Sequence, residues 1–202
     1  SIGAGIVLAR ETIASGAADI ECGTTPITLA RMEKVDFSIM TYVDGGSALV
    51  RKNAKLAKLP DLAGKRLAVI PGTTTEQALT RELTAHGVTA TVVPVKDGEE
   101  GVALLAAGKV DAYAGDRIVL TRLKQRAPKG DSLAFIGGDF SYEPYALMMR
   151  RDDPDFRLAV NRALVELIRS GEIDGIFLDW FGALGRPGPL LHAMFYLQRL
   201  PE

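Results

Sequence analysis

One ten-residue pattern occurs twice in this chain, and it limits the possible folds more than any bulk property does. Residues 14–23 read Ala-Ser-Gly-Ala-Ala-Asp-Ile-Glu-Cys-Gly, and residues 106–115 read Ala-Ala-Gly-Lys-Val-Asp-Ala-Tyr-Ala-Gly. Gly16, Asp19 and Gly23 recur at the same offsets as Gly108, Asp111 and Gly115. In each copy a helix ends on the first glycine, a short strand runs from the Asp, and the second glycine opens the strand's C-terminal edge. That edge is where open α/β sheets bind ligands. Two such edges predict two lobes facing each other across a cleft.

The 202 residues carry a net charge of −1, which gives no electrostatic signature for nucleic acid or an anionic membrane. Two distant histidines (His86, His192) and one cysteine argue against a zinc site. Cys22 has no internal disulfide partner, and the plain expectation is a buried thiol acting as a small hydrophobe. No apolar run is long enough to span a bilayer. Gly3 to Ala9 is apolar but lacks the basic start and cleavage site of a signal peptide. We expect no cofactor and no metal.

Strands alternating with helices of about ten residues predict helix-covered, mostly parallel sheets. Expected strands are Asp19–Cys22, Asp36–Val43, Ser47–Arg51, Arg66–Ile70, Ala90–Val95, Val110–Ala114 and Tyr145–Arg150. Expected helices follow Pro26 and Thr73, and cover Gly98–Ala107, Asp116–Gln125, Pro154–Ser170 and 172–182. The Gly- and Pro-rich piece 185–189 leads into an apolar C-terminal segment. The break Asp44-Gly45-Gly46 reads as a turn or hinge. The chain leaves lobe one there and returns near 135–145, giving lobe one as 1–46 with 135–202 and lobe two as 47–134.

Three places carry chemistry. Gly72-Thr73-Thr74 sits at a strand end and a helix start, where free amides and the positive helix end suit a carboxylate. Thr73 with Glu76 also makes a capping box, so the motif has a purely structural reading. It lacks the spacing and lysine of a nucleotide phosphate loop, which excludes ATP and GTP. Asp116, directly after Gly115, suits an ammonium group, and equally suits the N-cap of the next helix. Arg31 can hold a carboxylate in two parallel bonds, or be a solvated surface side chain. Together they fit a zwitterion, hence an amino acid.

The run Gly23-Thr24-Thr25-Pro26-Ile27-Thr28-Leu29-Ala30-Arg31-Met32-Glu33-Lys34-Val35-Asp36-Phe37-Ser38 resembles a segment of the polar amino acid-binding proteins that serve ABC transporters. So do Leu62-Ala63-Gly64-Lys65, Gly72-Thr73-Thr74, Asp116, and Arg150 followed by Asp152-Asp153-Pro154-Asp155-Phe156. Asp19-Ile20-Glu21-Cys22-Gly23-Thr24-Thr25 looks most like the glutamate/aspartate branch of these family 3 solute-binding proteins. The resemblance implies a two-lobed type II periplasmic-binding-protein fold with two crossover strands, a periplasmic location, and delivery of an amino acid to a membrane permease. It implies that Arg31 clamps the α-carboxylate with help from Thr74 and from Thr24 and Thr25, while Gly72 and Thr73 frame the anion end and Asp116 takes the α-ammonium.

Two departures stand out. Pro26 replaces the Ser or Thr usual five residues before the clamping arginine and supplies no N–H. The family also has further residues ahead of this chain's start, so lobe one is expected to be incomplete and lacking its leader. We expect compensation by strand exchange in a homodimer, or by Ile2–Ala9 folding back as a strand. The competing readings are a dehydratase on the same fold using Glu143 or Glu21 as acid, a sensor domain, and an oligomer-forming fragment that binds nothing.

Overall fold

The computed structural model describes residues 11–182 and 188–201. In chain order its elements are β1 (Ile20–Glu21), α1 (Leu29–Met32), β2 (Asp36–Asp44), β3 (Gly46–Arg51), β4 (Arg66–Val69), α2 (Thr74–Ala85), β5 (Thr91–Pro94) and α3 (Gly98–Ala106). Then follow β6 (Ala112–Asp116), α4 (Arg117–Arg126), β7 (Leu133–Phe135), β8 (Glu143–Met149), α5 (Pro154–Ser170), α6 (Glu172–Phe181) and α7 (Pro189–Leu197). They divide into two compact units. Residues 44–143 form an inserted unit, and the described residues on either side form an outer unit.

The inserted unit is built on a five-stranded sheet of order β5-β4-β6-β3-β7. Pairing is parallel among β5, β4 and β6, and antiparallel where β3 meets β6 and β7. The sheet is therefore mixed rather than mostly parallel. Alternate residues along each strand feed two cores. On one face Val50, Leu67, Val69, Ala112 and Ala114 pack with Leu79 and Leu83 of α2. On the other, Leu49, Ala68 and Tyr113 pack with Val102 and Leu105 of α3 and Leu120 of α4. A sheet buried on both faces needs apolar residues at every position of its central strands, as Ala112-Tyr113-Ala114 supplies.

β7 was not expected from the sequence: three residues are too few for an alternating pattern. Its pairing with β3, and the bond from Phe140 N to Gly46 O (2.8 Å), keep residues 135–143 within the inserted unit. The return crossing thus falls at 143–144.

The outer unit holds a three-stranded sheet of order β1-β8-β2. One face packs Ile13, Val35, Phe37, Ala146 and Met148 together. The other is covered by Ile168, Phe177, Leu191, Met194 and Phe195 from the three helices that follow β8, with Ile39, Tyr42 and Val43 against them. α5 starts as its sequence predicts: Asp153 Oδ1 accepts from Phe156 N (3.0 Å), Pro154 occupies the first turn, and Gly171 ends it at φ +83. The apolar C-terminal segment is the helix α7, and it does one thing its apolar pattern does not announce. Met40 N–H donates to Gln198 Oε1, and Gln198 Nε2 donates to Met40 O, both at 2.8 Å. One residue back, Ile39 N–H donates to Asn161 Oδ1 (2.9 Å). Side-chain amides here bond edge-strand backbone groups that a neighbouring strand would otherwise take.

The repeated pattern proves to be a joint used twice. Gly16 and Gly108 both sit in the left-handed region, at φ +78 and +71, where a side chain is disfavoured. Asp19 pairs with Arg150 (3.1 Å). Asp111 accepts from Arg66 N (2.9 Å) and Arg66 Nε (3.1 Å). Each copy pins a helix end and a strand start to a neighbouring strand by an arginine.

Two expectations need separate mention. Cys22 is exposed, just past the end of the two-residue β1, and is not the buried thiol expected. Ile2–Ala9 lies outside the described residues.

Candidate functional site

At the C-terminal edge of the inserted sheet, the chain leaves β4 through Gly72, whose φ of +74 makes the turn into α2. Thr73 is the N-cap. Its hydroxyl accepts from Glu76 N (3.2 Å) and donates to Ile70 O (2.8 Å), so it is fully engaged in holding the turn. The capping box differs from the expected one in its second half. The Glu76 carboxylate reaches the N–H of Gly72 (2.7 Å), the residue before the cap. Thr74 opens the helix, half-buried. Thr75, buried, donates from Oγ1 to Asp116 Oδ1 at 2.7 Å. That bond ties the start of α2 to the end of β6, so Gly72, Thr73, Thr74 and Asp116 share one strand-end surface.

Asp116 stands at the N-cap position of α4, yet its side chain makes no capping bond there. Asp44 does the capping. From the end of β2 its Oδ2 accepts from Ile118 N (2.9 Å), while Gly45 O accepts from Arg117 N (2.9 Å). Register places Gly46 opposite Asp116. Burial pushes the Asp44 carboxyl up to about 6; hydrogen bonds from the Ile118 and Gly45 amides pull it down, and the charges of Asp116 and Asp139 push it further up. Arg117 Nε donates to Asp139 Oδ1 (2.7 Å) and Nη2 to Ser47 Oγ (3.1 Å), with its guanidinium over the Phe135 ring (4.7 Å).

The remaining expected residues lie in the outer unit. Thr24 is exposed, and Thr25 is buried in the loop after β1. Pro26 bridges to Tyr145, and Ile27 N donates to Pro144 O (2.7 Å). Arg31 rides on the one-turn helix α1, capped by Thr28, and its Nη1 donates to Pro26 O. Pro26 lacks an amide, but its carbonyl anchors the guanidinium of the arginine five residues on. Thr24, Thr25 and Arg31 are thus gathered on one loop and helix turn. At Gly23 an added Cβ would fall 1.9 Å from Glu21 Oε1, so the Glu21 side chain closes over a residue that has none. Glu21 Oε2 is buried and has no hydrogen-bond partner among the described residues.

Glu143 is almost fully buried and accepts from Ser141 Oγ (2.6 Å), which in turn accepts from Gly46 N (2.8 Å). That chain fastens the return crossing to the outgoing one, which is the structural reading of this residue. Sequence reasoning missed Asp44 and Thr75 as members of the site. Asp44 was legible only as part of a hinge-like Asp-Gly-Gly, and Thr75 as one more residue of a capping turn. Among the described residues no cluster of His, Cys, Asp or Glu could hold a metal ion, and no helix is long and apolar enough to cross a membrane.

Two α/β units joined by two crossings, with polar residues at the strand ends of each, define the type II periplasmic-binding-protein architecture, a class of ligand-binding proteins. The chain belongs to the bacterial extracellular solute-binding proteins, family 3, whose family profile matches residues 9–183. An L-glutamate/L-aspartate-binding protein of Pseudomonas aeruginosa is 31% identical over 84% of this chain and 56% of its own length. The chain therefore spans about half the length of this curated relative. An ancestral arginine-binding protein bound to arginine superposes with a TM-score of 0.76 at 29% identity, over 86% of this chain and 76% of that one. An ancestral amino acid-binding protein described as a precursor of cyclohexadienyl dehydratase superposes with a TM-score of 0.73 at 27% identity, over 85% and 73%. The family is named for solute binding, and the Pseudomonas aeruginosa relative for binding L-glutamate and L-aspartate.

Proposed function

We propose that this chain binds a polar amino acid, glutamate or aspartate first, for delivery to the membrane permease of an ABC transporter outside the cytoplasm. The reading rests on one observation above the rest: Thr75 donates to Asp116 and holds its carboxylate on the same strand-end surface as the Gly72-Thr73-Thr74 turn, while Asp44 caps α4. Asp116 takes the ligand ammonium, an assignment that needs a charge-assisted bond in a partly dehydrated place. Arg31, with Thr24 and Thr25, takes the α-carboxylate, and the Gly72-Thr73-Thr74 turn adds amides at the positive end of α2. The preference for an acidic side chain follows the relative named for L-glutamate and L-aspartate.

Isothermal titration with L-glutamate, L-aspartate, L-glutamine and L-arginine tests this. Binding at micromolar concentration or tighter is expected for one of them, lost in Asp116→Ala and Arg31→Ala. The absence of heat with all four overturns the reading. The mass in solution, read alongside, tests homodimer formation by strand exchange at the two-residue edge strand β1.

A further inference from the structure

A second concavity lies on the inserted unit, away from its strand-end residues. It is a cavity of about 590 Å³ between α3, the last turn of α4 and residues 127–133. Gly72, Thr73, Thr74 and Asp116 do not line it. Its floor is apolar: Val102 and Leu133 are buried in the core beneath α3 and α4, and Leu123 packs beside them. At Gly98 an added Cβ would fall 2.5 Å from Leu123 Cδ1, so the two helices touch there. Further along α3 the lining residues are Ala103 and Ala106, both exposed, and their methyl groups leave the space unfilled. The outer wall is preformed. Gly130 N donates to Ala127 O (2.9 Å), Ser132 Oγ donates to Lys129 O (2.7 Å), and a Cβ at Gly130 would run into Lys124 O. This segment is therefore folded tightly against the end of α4.

The rim is cationic. Arg126 and Lys129 stand on it, and Glu99, in the first turn of α3, is the only acid among the lining residues. Residues 117–130 hold Arg117, Arg122, Lys124, Arg126 and Lys129 and no Asp or Glu, in a chain whose net charge is −1. Arg117 is taken by Asp139. Arg126 and Lys129 make no side-chain hydrogen bond or ion pair among the described residues. An apolar cavity of about 300–1,000 Å³ with a few polar groups at its edge is the usual form of a small-molecule site. We propose that this cavity is a second ligand site, for a small monocarboxylate with an apolar body. The body lies on Val102, Leu123 and Leu133, and the carboxylate is held at the mouth by Arg126 and Lys129. Glu99 repels a second negative charge, which favours a monoanion over a dianion. The site uses neither Asp116 nor Arg31, so it stands or falls separately from the proposed amino acid binding.

The experiment is NMR of the full chain titrated with octanoate, with octan-1-ol and octylamine as its neutral and cationic counterparts. Octanoate should bind at about millimolar concentration or tighter, with shifts confined to α3, the end of α4 and residues 127–133. Octan-1-ol should bind about fivefold more weakly, the loss of one solvent-exposed ion pair, and octylammonium more weakly still. Ala103→Phe fills the cavity from an exposed position and should abolish the response. Arg126→Glu together with Lys129→Glu should reverse the order of octanoate and octylammonium. Equal binding of octanoate and octan-1-ol overturns the inference, since the cations then play no part. So does the absence of shifts up to about 10 mM octanoate, or a response that survives Ala103→Phe. A chain that dimerises as its concentration rises and loses the response in step has a second copy over the cavity, which also overturns it. L-glutamate, titrated in parallel, should leave these shifts untouched, and displacement of octanoate by L-glutamate overturns the separation of the two sites. Because the first readout uses the unaltered protein, a variant that fails to fold does not block the test.

Discussion

Replacing Gln198 by leucine separates the packing role of α7 from its role as a strand partner. The substitution keeps apolar bulk beside Leu191, Met194 and Phe195, and deletes both 2.8 Å bonds to Met40. A net hydrogen bond is worth about 1 kcal/mol, and a backbone group left without its partner costs about 1–3 kcal/mol more when water cannot reach it. Met40 and Gln198 are half-buried, so partial rehydration holds the total near the low end, about 2 kcal/mol. Urea unfolding followed by far-UV circular dichroism reads this as a lower midpoint at unchanged slope. Gln198→Asn is the companion variant: its amide is the same, but one methylene too short to keep both bonds, and it should lose nearly as much. Size-exclusion mass should also rise for both variants, because the backbone groups of β2 at Met40 become open to pairing. A change below about 0.5 kcal/mol in both variants, with no change in mass, would refute the claim that a side-chain amide stands in for a strand.

Three further outcomes are expected. Asp44 has a folded value of about 6 against 3.8 for the ordinary carboxyl, so the folded state holds this proton more tightly, and stability is gained below 3.8 and lost as pH rises through 6. Between pH 4.5 and 7.5 that amounts to about 2 kcal/mol, and urea midpoints of the ligand-free protein minus those of Asp44→Asn should show it falling as pH rises. Asp111 runs the other way: hydrogen bonding to Arg66 pulls its carboxyl down to about 2, so its contribution is present above 3.8 and lost as pH falls toward 2. Asp111→Asn should flatten the acid limb of a thermal-melting series. In calorimetry, Arg31→Ala and Asp116→Ala should each abolish amino acid binding.

The elements with full patterns were readable. α5 announces itself by Pro154, a 3.6-residue apolar stripe and Gly171, and the repeated Gly and Asp offsets located two helix-to-strand joints. What stayed hidden was set by contacts distant in sequence. The three residues of β7 have no pattern of their own and are a strand only because β3 is beside them. α7 reads as an apolar tail, since its anchoring through Gln198 depends on an edge strand more than 150 residues away. Among the candidate site residues, Asp116, Arg31 and the Gly72 turn stood out by residue type and position. Asp44 did not, because an Asp before two glycines looks like turn chemistry until the fold shows which helix it caps.

The bond between Glu76 and the Gly72 amide carries a consequence for selectivity. It is an intramolecular competitor, tethered four residues from the amide it occupies and present at an effective concentration on the order of millimolar or above. A dissolved carboxylate that docks on the first turn of α2 exchanges with it instead of filling an open place. One charged acceptor replaces another, so this amide adds little net affinity. In the proposed site, discrimination between ligands then falls on the Asp116 and Arg31 side chains rather than on this amide.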